Sequence, residues 1–194
     1  MLNQMRTFTT QLLGPVTSTV GIRSGVEEPP YDAETLAGEV QIRRYGRRIA
    51  AQITVDGDEE DARSAGFRRL AAYIFGANYQ GDRIAMTAPV GQRGSPAGGW
   101  VIRFFMPAGS TLGSLPVPED ERVELVQLPA ETVAVLRFSG DRGVDSIARH
   151  TDQLRDTLRD YGFATAGDPS AWFYDPPWTL PCRRRNEIAI PIET

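Results

Sequence analysis

The chain has 194 residues, 41% of them hydrophobic and 24% charged, which suits one well-buried core with a tail better than two domains. Its formal net charge of -4 offers no broad basic field, so nucleic acid is not an expected partner. A single cysteine, Cys182, and a single histidine, His150, exclude an internal disulfide, a thiolate zinc site, a multi-histidine metal cage and a Ser/His/Asp triad at any other histidine.

Residues 1–24 carry Leu2, Met5, Thr9, Leu12, Val16 and Val20 near helical spacing, with no acidic residue before Glu27. They read as a weak amphipathic segment that touches a membrane surface, docks on the domain or frays in solvent. Pro15 and the surrounding Ser, Thr and Gly argue against a secretory signal. No run of 18 apolar residues is present, so no transmembrane span is expected, and the chain is read as a cytoplasmic monomer. The proline-bearing EEPPYD at 27–32 reads as a linker, giving segment 1–34 and one domain, 35–194.

Within that domain a period-2 pattern runs through 40–42 and 49–55, with a turn at Gly46 predicting a hairpin. Asp58 then offers an N-cap, and Glu59, Glu60 and Asp61 suit the positive end of a helix dipole. Phe67, Leu70 and Ile74 follow as an apolar stripe that also contains Arg63, and Gly76 ends the helix. A strand is predicted over 100–106. The same order returns at an offset of 83 residues, with Val40 matching Val123, Ile42 Leu125, Ala51 Ala134, Ile53 Leu136, Val55 Phe138, and Gly57-Asp58 Gly140-Asp141. The second helix carries Val144, Ile147, Thr151, Leu154, Leu158 and Tyr161, with Gly162 as its C-terminal cap, and Ile188, Ile190 and Ile192 make the last strand. Two pseudo-repeats, 35–110 and 118–194, each strand-strand-helix-strand, predict an α+β fold. Its sheet is curved and mostly antiparallel, or a distorted barrel, with about eight strands and two helices.

With the duplication established, IAMTAPV at 84–90, RFFMP at 103–107 and FYDPPWTLPCRRRNEIAI at 173–190 resemble the SOUL haem-binding family over roughly 35–194. That resemblance implies a barrel related to the gyrase-inhibitor-like small-molecule-binding fold. It also implies reversible binding of haem or another porphyrin in a shallow hydrophobic cleft between the first helix and the loop before the last strand. Carried onto this chain, the cleft would take Phe67, Leu70, Ile74 and Met86 from the helix side and Tyr174 and Trp178 from the loop. Arg63, Arg69 and Arg184 would serve ligand carboxylates, because a guanidinium fork donates two parallel hydrogen bonds to one. His150, at the edge of the second helix's buried face, is the candidate axial ligand, with a satisfied boundary residue as the plainer reading. Met86 and Tyr174 are conceivable ligands and plainer as packing residues.

Chemistry beyond binding has little support. Glu59, Glu60 and Asp61 belong to a helix start, Glu119, Asp120 and Glu121 to a solvated loop, and Cys182 reads as an inert thiol despite its arginine neighbours. The expected protein is therefore a non-enzymatic carrier, buffer or sensor of a tetrapyrrole. A cofactor-independent hydrolase or haem-degrading enzyme using the same cleft is the alternative, and a module that takes a hydrophobic peptide or lipid is a third reading.

Overall fold

A computed structural model describes residues 17–19, 22–23 and 26–193. In chain order the elements are β1 (Thr17–Thr19), β2 (Ile22–Arg23), β3 (Val26–Glu27), β4 (Tyr31–Ala37), β5 (Val40–Tyr45), β6 (Arg48–Val55), α1 (Glu59–Ile74), β7 (Val90–Gly94) and β8 (Trp100–Phe105). The second half adds β9 (Glu124–Leu128), β10 (Glu131–Phe138), α2 (Val144–Asp160), β11 (Ser170–Phe173) and β12 (Asn186–Pro191), with a turn of 3-10 helix at Pro181–Arg183. The expected α+β class holds. Ten strands form one curled antiparallel sheet in the order β1-β4-β5-β10-β12-β11-β7-β8-β6-β9, and β2 pairs with β3 apart from it.

The two repeats are present, but the expected hairpin around Gly46 is not. β5 pairs with β4 and β10, whereas β6 pairs with β8 and β9, so the strands flanking Gly46 lie far apart in the sheet. The ladder that sets Tyr45 opposite Glu131 becomes, on adding the repeat offset, the ladder that sets Arg48 opposite Leu128. Each repeat thus lends its first strand to the other. The physical reason for the missed pairing is that period-2 alternation fixes which face a side chain takes, while saying nothing about which strand lies alongside. At the centre, β7 of one repeat pairs with β11 of the other, Gly91 opposite Trp172.

Alternation gives the sheet two buried faces. On the outer face, α2 packs Leu154 and Leu158 against Val40, Ile42, Leu136, Ile188 and Ile190, while α1 packs Leu70, Tyr73 and Ile74 against Ile53, Ile102 and Phe104. Both helices are therefore required to keep water off that face. The inner face, wrapped by the curl, holds Tyr45, Ala50, Phe105, Val133, Val135, Trp172 and Ala189. α1 comes close to the sheet because Gly66 faces Ile102: a Cβ there would lie 2.5 Å from Cγ1 of Ile102. α2 ends as expected, with Gly162 at φ +76 after the last turn.

At the amino end, Thr17–Thr19 pair with β4, and the rest of the amphipathic segment read over 1–24 lies outside the described residues apart from β2. Residues 27–32 do not form a spacer. Tyr31 starts β4, and the Glu28 carboxylate is buried on Arg185 at 2.8 Å. Two prolines within an acidic stretch resemble a linker, yet Glu28 is drawn in by a cation from the far end of the chain.

Candidate functional site

The site grows from the start of α1. Asp58 caps the helix, its Oδ1 accepting from the backbone N–H groups of Glu60 at 3.1 Å and Asp61 at 3.0 Å. With the helix phase fixed, Arg63 lies across β7 and β11: its Nη1 donates to Oε1 of Gln92 at 3.2 Å, and its guanidinium carbon stands 4.8 Å from the centre of the Phe173 ring. Gln92 is held in turn, donating through Nε2 to the Glu59 carbonyl at 2.8 Å. Arg63 is therefore a placed cation, half-buried and stacked.

A second guanidinium reaches the same ring. Arg142, in the connection between β10 and α2, sits 5.7 Å from the Phe173 centre and makes no hydrogen bond or ion pair among the described residues. Burial pushes its pKa down, and the neighbouring charges of Arg63 and Arg184 push it further in the same direction. Glu60 and Asp141 oppose that shift. Three arginines from three segments thus share one patch.

Arg184 also builds the loop beside it. Its Nε donates to the Thr179 carbonyl at 2.8 Å and its Nη2 to the Pro177 carbonyl at 2.7 Å, bracing the loop between β11 and β12. The Gly140 N–H donates to the Pro181 carbonyl at 2.9 Å, which docks that loop against the start of the α2 connection. Trp178, 83% exposed, and Leu180, 61% exposed, stand out from it into solvent. Phe67 on α1, edge-on to Phe104 at 5.3 Å, and Val144 at the start of α2 are exposed as well. Large apolar groups left in water beside converging cations mark a surface that a flat, anionic molecule would cover.

The structure separates the other predicted residues. Leu70 and Ile74 are fully buried under α1, so they fix the helix on the sheet and do not line a cleft; the wheel placed them on the apolar stripe, and that stripe meets β8. Met86 packs at the edge of the same cluster. Arg69 faces away, pairing with Asp120 at 3.0 Å. Tyr174 turns inward, its hydroxyl donating to Glu187 at 2.6 Å, so it is a network residue and not a cleft wall. His150 stacks on Phe138 at 3.9 Å, with Nδ1 2.7 Å from the Ser146 carbonyl oxygen, which is the arrangement of a satisfied boundary histidine. Among the described residues no cluster of three His, Cys, Asp or Glu side chains is placed to hold a metal ion.

Arg142 does not stand out in the sequence. The only signal is its place after Gly140-Asp141, the counterpart of the Gly57-Asp58 start of α1. The triple arginine also divides differently from its appearance: Arg183 closes the 3-10 turn, Arg184 braces the loop, and Arg185 enters the inner face. There Arg185 pairs with Glu187 at 2.9 Å and Glu28 at 2.8 Å and lies 3.7 Å over the Tyr174 ring.

Comparison with known proteins adds the lineage. The sequence model of the family described as SOUL heme-binding protein matches residues 26–191. Heme-binding protein 1 of Mus musculus is 29% identical over 171 residues, covering 84% of this chain and 85% of that protein. Heme-binding protein 2 of Homo sapiens is 28% identical over 173 residues, covering 82% and 80%. Among solved structures, the EcmrR C-terminal domain superposes with a TM-score of 0.56 at 14% identity, over 80% of this chain and 97% of that one. A structure described as a hydrolase from Listeria innocua superposes at 0.52 with 10% identity, over 80% and 92%. These two likenesses concern the fold.

Proposed function

Because the chain belongs to the SOUL heme-binding protein family, we propose that it binds haem or a related tetrapyrrole reversibly, on the face between the start of α1 and the loop joining β11 to β12. The observation that carries this reading is that Arg63 and Arg142 both stand over the Phe173 ring, with Arg184 acting on Arg142 by its charge and bracing the loop on which Trp178 and Leu180 are exposed. The macrocycle would lie on the apolar groups. Its propionates would meet Arg142, whose fork has no hydrogen bond or ion pair among the described residues, and Arg63, which is bonded to Gln92 and lies 3.8 Å from the Glu60 carboxylate. His150, committed to Phe138 and Ser146, is not arranged with this patch, so the periphery of the ligand supplies the recognition.

The magnitudes of burial and association support reversible carriage. Covering on the order of 400 Å² of apolar surface at about 25 cal/mol per Å² contributes roughly 10 kcal/mol, against about 4–15 kcal/mol for lost freedom on association. The arginine contacts decide the balance, which suits trafficking, buffering or sensing more than permanent retention.

A haemin titration followed by the Soret band tests the proposal. Wild-type protein should give a saturable shift at micromolar concentration, quenching the exposed Trp178. Arg63→Ala combined with Arg142→Ala should weaken the affinity at least about tenfold, since two charge-assisted contacts are lost. His150→Ala should leave the bound spectrum unchanged. A wild-type chain that gives no saturable shift, or a double variant that binds as well as wild type, rejects this site.

A further inference from the structure

The inner face of the curled sheet carries a second group of arginines that the tetrapyrrole reading does not use. One end of this interior is closed by charges in balance. Arg43 forks onto Glu187 at 2.8 and 2.9 Å, and Arg185 spans Glu187 and Glu28. Two cations and two carboxylates there cancel.

Towards the other end the balance fails. Arg48 on β6 is 8% exposed and lies between aromatic rings, 4.1 Å from the centre of Tyr45 and 4.9 Å from that of Phe105. Its Nη2 meets Glu131, while its Nε and Nη1 are buried with no hydrogen-bond partner. Arg103 on β8 donates to Oε1 of Gln52 at 2.6 and 3.2 Å and has no carboxylate partner among the described residues. Arg93 on β7 buries an Nε that is also unpartnered. Beside them is a cavity of 70 Å³ lined by Arg93, Arg103, Phe105, Glu131, Asp168 and Trp172, several times the roughly 10–15 Å³ that one water needs. Arg48 stands behind this wall, in a packed region that shares Phe105 and Trp172 with the cavity and leaves no room for a water.

The charged groups facing this region are therefore Arg48, Arg93 and Arg103, against Glu131 within and exposed Asp168 at its margin. Three buried or half-buried guanidiniums beside the partly exposed Glu131 carboxylate leave a surplus of positive charge against a low-dielectric interior. Its effect is visible on Arg103, whose pKa is lowered to about 10 by burial first and then by the charges of Arg93 and Arg48. An anion in the cavity would relieve the repulsion and meet Arg93 and Arg103, which line it, while Arg48 acts on it through charge alone.

We infer that the interior of the half-barrel is a binding site for a small oxoanion, a phosphate or carboxylate group, held by Arg93 and Arg103 with Arg48 behind them. Guanidinium forks suit such groups through paired hydrogen bonds, and Trp172 and Phe105 supply an apolar wall that excludes water. The site is on the opposite face of the sheet from α1 and its Phe67. It is independent of the tetrapyrrole surface.

The test is thermal unfolding of the full chain in inorganic phosphate, with sodium acetate and sodium chloride as parallel arms at matched ionic strength. Phosphate at ten times its dissociation constant should raise the melting temperature by about 3–6 °C over chloride, and the rise should saturate. A saturable rise in acetate instead identifies the group as carboxylate and supports the same site. Arg93→Gln with Arg103→Gln should abolish the effect, whereas Arg63→Ala with Arg142→Ala should retain it, which separates failure here from failure of the tetrapyrrole reading. Should the interior variant not fold, phosphate titrated into a chain carrying Trp100→Phe and Trp178→Phe should change the emission of Trp172, the remaining tryptophan, in a saturable way. Equal melting temperatures in all three salts, together with unchanged emission, overturn the inference.

Discussion

Glu187 shows how a single carboxylate organises the inner face. Burial would raise its pKa, but the bidentate fork of Arg43, the Arg185 guanidinium and the Tyr174 hydroxyl outweigh burial and hold it below the usual carboxylate range. Because the folded value lies below the ordinary 4.5, this contribution to stability is present above that pH and is lost as pH falls through and below it. Replacing the group by Glu187→Gln should cost about 3–5 kcal/mol at neutral pH, since Arg43 is left buried without a counter-ion. The same variant should flatten the loss of stability between about pH 5 and pH 3, and urea midpoints across that range check both effects. Equal midpoints for the two proteins at neutral pH would remove Glu187 from this role. None of this pairing is visible in the sequence, where Glu187 looks like one more solvent-facing position in RRRNEIAI. Strand alternation gives the face, and only the curl of the sheet reveals that this face is interior. The same limit explains why Arg63 is legible in the sequence and Tyr174 is not: a helix wheel reports its own surroundings, whereas a loop aromatic depends on which strand passes beneath it.

At the scale of elements, α1 is the piece that links core and site. Its buried groups set its height above β8, and its upper edge carries Arg63 and Phe67. Gly66 is the position that determines how close it lies. Gly66→Ala would add about 1 kcal/mol of helix propensity while driving a Cβ into Ile102, where overpacking costs about 1–3 kcal/mol. The expected result is a net lower melting temperature and weaker haemin affinity together, as α1 moves outward and Arg63 leaves Phe173; an Ala variant as stable and as tight as wild type would show that the contact is slack. Both helices, the Asp58 cap of α1 and the Gly162 end of α2 are legible in the sequence because capping and the 3.6-residue period are local, whereas α2 starts at Gly143 without a side-chain cap. The pairing of the strands around Gly46 is not, because strand partners are set by distant segments. Val144, part of the apolar stripe expected for α2, lies exposed at the first position of the helix, ahead of Leu154 and Leu158, which meet the sheet.

For the whole molecule, the exchange of first strands makes the two repeats mutually dependent. β9 has only β6 as a neighbour, and β5 lies between β4 and β10, so a chain cut between the repeats leaves long ladders unmade on both pieces. Fragments 26–110 and 118–193, prepared separately, should each lack a cooperative unfolding transition by circular dichroism, and mixing them should restore one. A sharp transition in either fragment alone would contradict this dependence. The exchange also bears on synthesis at the ribosome. At roughly 5–20 residues per second, β5 and β6 emerge about 4–17 seconds before β10 and β9 are both available to them, and wait with open edges. The four arginines at 43, 44, 47 and 48 fall within that waiting stretch. Charge there discourages the nascent edges from pairing with another chain, so Arg43 and Arg48, which end in the interior, share a gatekeeping role during translation with Arg44 and Arg47, which end exposed.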